Sequence, residues 1–180
     1  MGRLTEEPFR AAAAEYLKRM SRYYSVTVVE PKPENLPRDP SPGEIEKALS
    51  AEAKKILAEI PPHAYVAAMC VEGRGMPSEK FAAMLSKAAA DGIGEICFII
   101  GSSHGLADEV KRRANVMLSV SDMTFPHELF RVMLLGFFTG QSNAHNHQHH
   151  GQAAQHRDGP VQLTGLDQNA GNRGRFLRGV

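Results

Sequence analysis

The sequence predicts an α/β protein built on a parallel sheet. Three short apolar segments, residues 65–71, 95–100 and 116–120, are each separated from the next by a segment with helical character. Strands that alternate with helices imply crossover connections, and these join parallel strands. The chain has 180 residues, 42% of them hydrophobic and 23% charged, which suits one domain with a sizeable core.

Two helices and one strand are predicted before the first of these segments. Residues 6–22 carry apolar side chains at the spacing of one helical face, and residues 25–29 are short and β-branched, as strands are. Five prolines between residues 31 and 42 indicate a loop. A second helix is expected over residues 43–60, because its apolar side chains repeat at helical spacing and the dipeptide Pro61-Pro62 ends it.

Three more helices alternate with the strands. Ser78 can cap a helix that extends to about residue 90 and ends at Asp91-Gly92. Residues 106–115 predict a shorter helix, and another begins at Glu128 and includes Leu135. The helices lie between the strands along the chain, as the parallel arrangement requires.

Three loops follow the three central strands, at residues 72–75, 101–105 and 121–127. Ligands of parallel sheets collect beyond the carboxyl ends of the strands, so we expect these loops to form one pocket if the strands are neighbours. Two of the loops are rich in glycine, which lets backbone groups approach a ligand closely, although such glycines more often serve a tight turn.

Several chemistries are disfavoured by the sequence. It contains neither a Walker phosphate loop nor the glycine pattern of a dinucleotide-binding fold. Cys70 and Cys97 lie within predicted strands, so we expect reduced, unreactive core thiols rather than a nucleophile or a disulfide framework. His104 and His127 lie in loops, where a solvated and a functional histidine are equally compatible with the pattern.

The near-neutral net charge of +1 hides a change of composition at about residue 135. Residues 136–180 contain no Lys and no Glu, but ten of the twelve Asn and Gln residues and five of the eight His residues. This pattern predicts a disordered tail after a folded part at residues 1–135. No apolar stretch has the roughly 20 residues of a membrane-spanning helix, and the first residues lack the apolar region of a secretory signal, so a soluble cytoplasmic protein is expected.

Three segments resemble the ribosomal RNA large subunit methyltransferase H family of the SPOUT superfamily. They are Met69-Cys70-Val71-Glu72-Gly73-Arg74, Phe98-Ile99-Ile100-Gly101-Ser102-Ser103-His104-Gly105-Leu106 and Leu118-Ser119-Val120-Ser121-Asp122-Met123-Thr124-Phe125-Pro126-His127. The last segment is the most specific, because Thr-Phe-Pro-His is followed by an arginine, Arg131, four residues after the histidine. The resemblance covers about residues 2–135.

The resemblance implies an α/β SPOUT fold with a C-terminal trefoil knot, S-adenosylmethionine as cofactor, and a homodimer. It further implies methyl transfer to N3 of a pseudouridine in 23S ribosomal RNA, with the RNA or the ribosome as partner. Apolar side chains such as Met69 and Phe125 suit an adenine slot, and Glu72 is compatible with a hydroxyl or amine of the cofactor or with solvent. The cofactor positions of the family correspond to Met69, Gly101, Val120, Ser121, Asp122, Met123, Thr124 and Phe125.

His127 and Arg131 are the candidate catalytic residues. The acceptor nitrogen must lose its proton, so His127 is a candidate proton acceptor or orienting group, and Arg131 a candidate clamp for a phosphate or a carbonyl. The alternative is that Pro126-His127 only shapes the start of a helix and that Arg131 makes a salt bridge in a dimer.

The sequence departs from the family at both ends. A short apolar strand that precedes Gly2 in the family is missing here, which indicates an N-terminally truncated SPOUT domain at residues 1–135. From Gly136 the family's C-terminal helix is replaced by the Gly-, Gln-, Asn- and His-rich segment, for which a frameshift near residue 135 is the preferred explanation, with an incomplete knot as its consequence.

Three functions are therefore weighed. The first is the methyltransferase, and the second is an impaired remnant that binds RNA or the ribosome without turnover. The third is a metal-binding protein that acts through the histidine tract at His145, His147, His149 and His150. Because this tract has few apolar neighbours to build a rigid site, no functional metal is expected there.

Overall fold

The structure is a computed structural model that describes Leu4, residues 6–148 and residues 161–165, with side chains described up to residue 140. Within these ranges the chain forms an α/β fold with five helices and five strands. The helices are α1 (Glu7–Met20), α2 (Pro42–Glu59), α3 (Ser78–Ala90), α4 (Asp108–Arg113) and α5 (His127–Gln148). The strands are β1 (Val26–Val29), β2 (Tyr65–Gly75), β3 (Ile96–Ile100), β4 (Val116–Ser119) and β5 (Val161–Gly165).

The five strands form one sheet in the order β1-β5-β3-β2-β4, and every neighbouring pair is parallel. The predicted class, an α/β fold with a parallel sheet, is confirmed. The three central segments of the prediction are neighbours, because β2 pairs with β3 on one side and with β4 on the other. Their carboxyl ends therefore open at the same edge of the sheet.

Alternating side chains of β2 and β3 divide the core into two layers. Ala67 and Phe98 face α1, α3 and α5, whereas Val66 and Cys97 face α2 and α4. This alternation follows from the period of two residues in a strand, and because both faces are covered, the paired segments at residues 65–69 of β2 and 96–100 of β3 are apolar. The sheet is thus a rigid base for the loops that follow its strands.

Local sequence explains the helix starts. Ser41 caps α2 with a complete capping box, in which its backbone N–H donates to Glu44 Oε2 at 2.8 Å and its Oγ accepts from the Glu44 backbone N–H. The predicted ranges of α1, α2, α3 and α4 agree with the structure to within about two residues at each end. Among the described residues, no helix has both the length and the apolar character needed to cross a membrane.

One predicted loop is part of a strand. Residues 72–75 were expected to leave the sheet, but β2 continues to Gly75 and resumes its pairing with β4 after a register shift. Leu118 pairs first with Met69 and then with Arg74, so the residues between them form a bulge. A Cβ atom on Gly73 would overlap the Leu118 backbone, so the close approach of β2 to β4 at this point requires a glycine.

The predicted boundary at Gly136 falls inside α5. The helix continues from His127 through Gly136 to Gln148, and Phe138 is only 1% exposed, in contact with the rings of Phe98 and Phe81. The helix does not end at the boundary because the residues just after it are apolar and fill the core above β3. The packed part of the chain thus extends past residue 135, at least to Thr139, which is also buried.

Strand β5 comes from the segment that was predicted to be disordered. Residues 161–165 pair with β1 on one side and with β3 on the other, so they join β1 to the rest of the sheet. The remainder of that segment, residues 149–160 and 166–180, lies outside the described residues, as do residues 1–3, where the truncation was inferred. The knot that the resemblance implies stays a prediction.

Candidate active site

A cleft of about 530 Å³ lies beyond the carboxyl ends of β2, β3 and β4. Its walls are the three predicted loop regions together with the first turn of α5. Its inner surface is apolar, because buried Met69 pairs with Ile100 on one side and with Leu118 on the other. Its remaining lining residues are Cys70, Val71, Glu72, Gly101, Ser102, Ser103, Gly105, Ser119, Val120, Ser121, Met123, Thr124, Phe125, Pro126, His127 and Phe130.

The wall after β3 is a tight turn that requires glycine at two positions. The backbone N–H of Gly105 donates to the Ser102 carbonyl at 3.0 Å, and Gly105 has a φ of +86°, which favours glycine. A Cβ atom on Gly101 would overlap the carbonyl oxygen of Gly105. The turn therefore brings backbone, rather than a side chain, to the cleft surface at Gly101.

The wall after β4 is ordered by two serines. Ser119 Oγ donates to the Ser121 carbonyl at 2.9 Å, and Ser121 Oγ accepts from the backbone N–H of Met123 at 2.9 Å. In the same loop region, Val120 is 50% exposed and Met123 is 70% exposed, and both line the cleft. Large apolar side chains exposed beside a cleft indicate a surface that is covered by a ligand or a partner.

Helix α5 contributes His127 and Phe130 to the same cleft. His127 is the first residue of the helix, and the Phe130 backbone N–H donates to the Pro126 carbonyl at 3.0 Å, which closes the first turn. Phe130 was not predicted as a site residue. Its position three residues after His127 was the available signal, because residues at that spacing share a helix face.

Glu72 lies at the mouth of the cleft and forms an ion pair with Lys111 of α4. The hydrogen bond from Lys111 holds the pKa of the Glu72 carboxyl below its usual value, and the same hydrogen bond raises the pKa of Lys111. Both groups are therefore charged at neutral pH.

Both cysteines are free thiols on strands; Cys97 lies in the core, as predicted, whereas Cys70 is half-buried and not a core residue. Burial raises the pKa of Cys70, which lines the cleft, and burial raises the pKa of Cys97, in the core, to about 12. A thiol whose pKa is raised is a poor nucleophile at neutral pH because little thiolate is present. Cys70, which lines the cleft, is therefore poorly suited to nucleophilic catalysis.

The structure brings together all the predicted cofactor-binding residues except Asp122. Met69, Gly101 and Ser121 lie on three different walls of the cleft, and His127 adjoins them. Asp122 is exposed at the surface of the last loop and does not line the cleft. Val120, Met123, Thr124 and Phe125 complete the predicted set that lines it.

Arg131 does not line the cleft. Its Nη1 donates to Glu30 Oε1 at 2.6 Å, and the residue is only 5% exposed. Both residues line a second cavity, of about 280 Å³, against α1. The structure therefore does not place Arg131 as a clamp over a substrate in the cleft: burial of its guanidinium requires a carboxylate partner, and Glu30 after β1 supplies one within the chain.

The metal-binding hypothesis has no support from the described residues, among which no group of three or more His, Cys, Asp or Glu side chains could hold a metal ion. His145 and His147 lie in the part of α5 for which only the backbone is described. His149 and His150 lie outside the described residues.

The chain is similar to known methyltransferases. The family model described as "Predicted SPOUT methyltransferase" matches residues 1–149. A protein named ribosomal RNA large subunit methyltransferase H from Carboxydothermus hydrogenoformans is 42% identical over 135 residues, which are 75% of this chain and 85% of that protein.

Two further proteins of the same name show similar agreement. The one from Streptococcus gordonii is 38% identical and the one from Clostridioides difficile is 40% identical, each over 135 residues that cover 75% of this chain and 85% of the relative. The resemblance predicted from the three loop segments is confirmed. The relatives align over 135 residues, whereas the family model continues past the predicted end at residue 135 to residue 149. The chain belongs to the SPOUT methyltransferase family.

Proposed function

We propose that the chain transfers the methyl group of S-adenosylmethionine to N3 of a pseudouridine in 23S ribosomal RNA. The observation that carries this proposal is the convergence of three separate loops on one cleft beside His127, together with all the residues at the family's cofactor positions except Asp122. The relatives are named as ribosomal RNA large subunit methyltransferases, which supports the RNA substrate.

The residues of the cleft fit an adenosyl cofactor. Its volume of about 530 Å³ lies within the range of roughly 300–1,000 Å³ that small-molecule sites occupy. Met69, Leu118 and Phe125 offer apolar surface to an adenine ring, and the turn at Gly101 offers backbone groups. A side chain at Gly101 would overlap the Gly105 backbone and disrupt this turn. When bound, the cofactor supplies an electrophilic methyl group on its sulfonium.

The protein's part in such a transfer is alignment and proton removal. A displacement at a methyl group requires the attacking nitrogen to lie in line with the bond that breaks, so rigid walls contribute through positioning. We assign to His127 the role of accepting the proton from N3 of the base, or of orienting that base, because its ring adjoins the proposed cofactor residues.

The proposal includes a homodimer and a cytoplasmic ribosomal substrate. Val71 and Met123 are 72% and 70% exposed at the mouth of the cleft, where a second copy of the chain or the RNA would cover them. Such a partner would also close the cleft toward water, which strengthens every polar interaction within it.

The test is a methyl-transfer assay on large ribosomal subunits whose 23S RNA carries the unmethylated pseudouridine. The full chain and S-adenosylmethionine are added, and methylated pseudouridine is measured by mass spectrometry of the nucleosides. We expect transfer by the native chain and a loss of about 10²- to 10⁴-fold in the rate for His127→Ala, the usual contribution of a general base.

The matched control is His104→Ala. His104 is exposed in the turn after β3 and does not line the cleft, so its loss leaves the rate unchanged. Binding of the ribosome without cofactor binding or methyl transfer would contradict the proposal and favour the remnant that only binds RNA.

A further inference from the structure

One charged pair at the mouth of the cleft has no role in the function proposed above. Glu72 is the only acidic side chain among the described residues that line the cleft, and its partner Lys111 belongs to α4, on the other side of the sheet from α5. Lys111 itself does not line the cleft. The pair therefore connects the cleft surface to a helix that packs behind it.

The backbone fixes where Glu72 points. The register shift between Met69 and Arg74 places Glu72 in a bulge of β2, and Gly73 allows that bulge to press against the backbone of Leu118. Bulges often redirect one side chain next to a functional site. Here the redirected side chain is a carboxylate, 51% exposed, that reaches the cleft.

Lys111 then limits the conformations of that carboxylate. Its side chain is only 23% exposed, and its Nζ contacts Glu72 Oε1 directly and Asp108 Oδ1 at 3.7 Å. The Asp108 carboxylate, one turn earlier on the same helix, is thus a second ionic partner of the Lys111 ammonium group. The pKa of Glu72 is lowered by this contact, so the carboxylate is a full acceptor at neutral pH.

The chemistry of the cleft calls for such an acceptor. The rest of the lining consists of apolar side chains, hydroxyls, the Cys70 thiol, the His127 imidazole and backbone, whereas a methyl donor of the adenosyl class carries ribose O–H groups and an ammonium group that need hydrogen-bond acceptors. A carboxylate is the strongest acceptor among protein side chains for either group.

We propose that Glu72 is a binding residue for the methyl donor, accepting hydrogen bonds from its hydroxyl or ammonium groups, and that Lys111 is the positioning residue that orients Glu72. This inference rests on the proposed function, because it requires that the cleft binds an adenosyl ligand. It adds to that function a carboxylate that binds the methyl donor, and a lysine of α4 that orients this carboxylate.

The first test compares two ligands by calorimetry on the full chain. S-adenosylhomocysteine carries both the ribose and the amino acid, whereas 5′-methylthioadenosine carries the ribose alone. We expect Glu72→Gln to bind S-adenosylhomocysteine about 10- to 100-fold more weakly, the usual effect of a lost charged hydrogen bond. Weaker binding of both ligands assigns the contact to the hydroxyls, and weaker binding of S-adenosylhomocysteine alone assigns it to the ammonium group.

The outcomes separate the two proposals. Unchanged affinity of Glu72→Gln for both ligands, with tight binding by the native chain, overturns this inference and leaves the proposed function intact. Failure of the native chain to bind either ligand overturns both. Thermal unfolding followed by circular dichroism shows that the variant is folded, as expected for a half-exposed position.

The second test concerns Lys111. We expect Lys111→Met to weaken binding of S-adenosylhomocysteine and Lys111→Arg to restore most of the affinity. The control is Lys87→Met, which removes the exposed Lys87–Asp91 pair (2.9 Å) on α3 and leaves affinity unchanged. Equal affinities of the native chain and Lys111→Met would overturn the positioning role.

The pH profile distinguishes positioning from a merely structural effect. Without Lys111 the pKa of Glu72 returns toward its ordinary value of 4.5, so the carboxylate of the variant is protonated at a higher pH than in the native chain. As the pH falls through about 4.5, binding by Lys111→Met therefore declines before binding by the native chain, whose Glu72 stays ionised to a lower pH. Coincident profiles would contradict the assignment.

Discussion

The two halves of the sheet are built in different ways. In one half, β2, β3 and β4 follow one another along the chain with short helices between them, and all three deliver a loop to the cleft. In the other half, β1 pairs with β5, which brings residues near the two ends of the chain together. The half with local connections carries the loops of the cleft and also packs against α1 and α5, whereas the other half joins segments that are distant along the chain. The cleft loops thus follow strands that are close together along the chain, whereas the pairing of β1 with β5 joins distant segments.

The largest loss of stability is expected in the part of α5 after residue 135, which was the predicted end of the folded part. Replacing Phe138 by Ala removes a ring that is 1% exposed and contacts Phe98 at 5.0 Å between centroids. We expect a loss of about 3–5 kcal/mol in the free energy of unfolding, because the cavity above β3 cannot close fully. Urea unfolding measures it, with Met133→Ala, at a 40% exposed position of the same helix, as control. A loss no greater than that of the control would mean that the core stops at residue 135.

The next effect concerns the cleft half alone. Gly101→Ala places a methyl group against the carbonyl of Gly105, so the turn must open and one wall of the cleft must move. We expect the affinity for S-adenosylhomocysteine to fall by about 10- to 100-fold, in line with roughly 1–3 kcal/mol for overpacking. Gly94→Ala is the matched control, since a Cβ there meets nothing within 4 Å. Native affinity in Gly101→Ala would show that this turn is not part of the site.

The ion pair between Arg131 and Glu30 tests how the two halves are joined. Because Arg131 is buried and the Glu30 side chain is 33% exposed, we expect Arg131→Met to cost about 1–3 kcal/mol of stability, less than a fully buried pair. Cofactor affinity and the methylation rate of the folded variant should be kept. A variant of native stability that no longer methylates would instead return Arg131 to the catalytic residues.

The smallest effect is expected at the start of α2, behind the cleft half. Ser41→Ala removes the capping box with Glu44 and should lower stability by about 1 kcal/mol without changing ligand affinity. Thermal unfolding and calorimetry measure the two quantities. Loss of affinity in this variant would mean that α2 is coupled to the cleft more closely than the packing indicates.

The contrast between the halves also explains what sequence could predict. The strands at residues 65–71, 95–100 and 116–120 are apolar and bounded by turns, so local patterns locate them, and the loops that follow hold the cleft. Strand β5 was missed because it is short and lies in a polar, glycine-rich segment. Its alternation of Val161 and Leu163 with Gln162 and Thr164 was the available signal.

The site residues divide in the same manner. His127 and Gly101 follow strands that local sequence identifies, so their place at the cleft could be predicted. The position of Arg131 could not, because its partner Glu30 follows β1 and is distant in sequence. The ion pair of Glu72 with Lys111 joins β2 to α4 across two other elements, and no local pattern indicates such a contact.

Hydrogen exchange with and without S-adenosylhomocysteine tests the central claim, that three separate loops form one adenosyl site, most directly. The account predicts simultaneous ligand-dependent protection of peptides that contain residues 70–73, 101–105 and 119–127. It predicts no change in the loop at residues 31–40, which does not line the cleft. Protection of only one of the three segments, or protection confined to other parts of the chain, would contradict it.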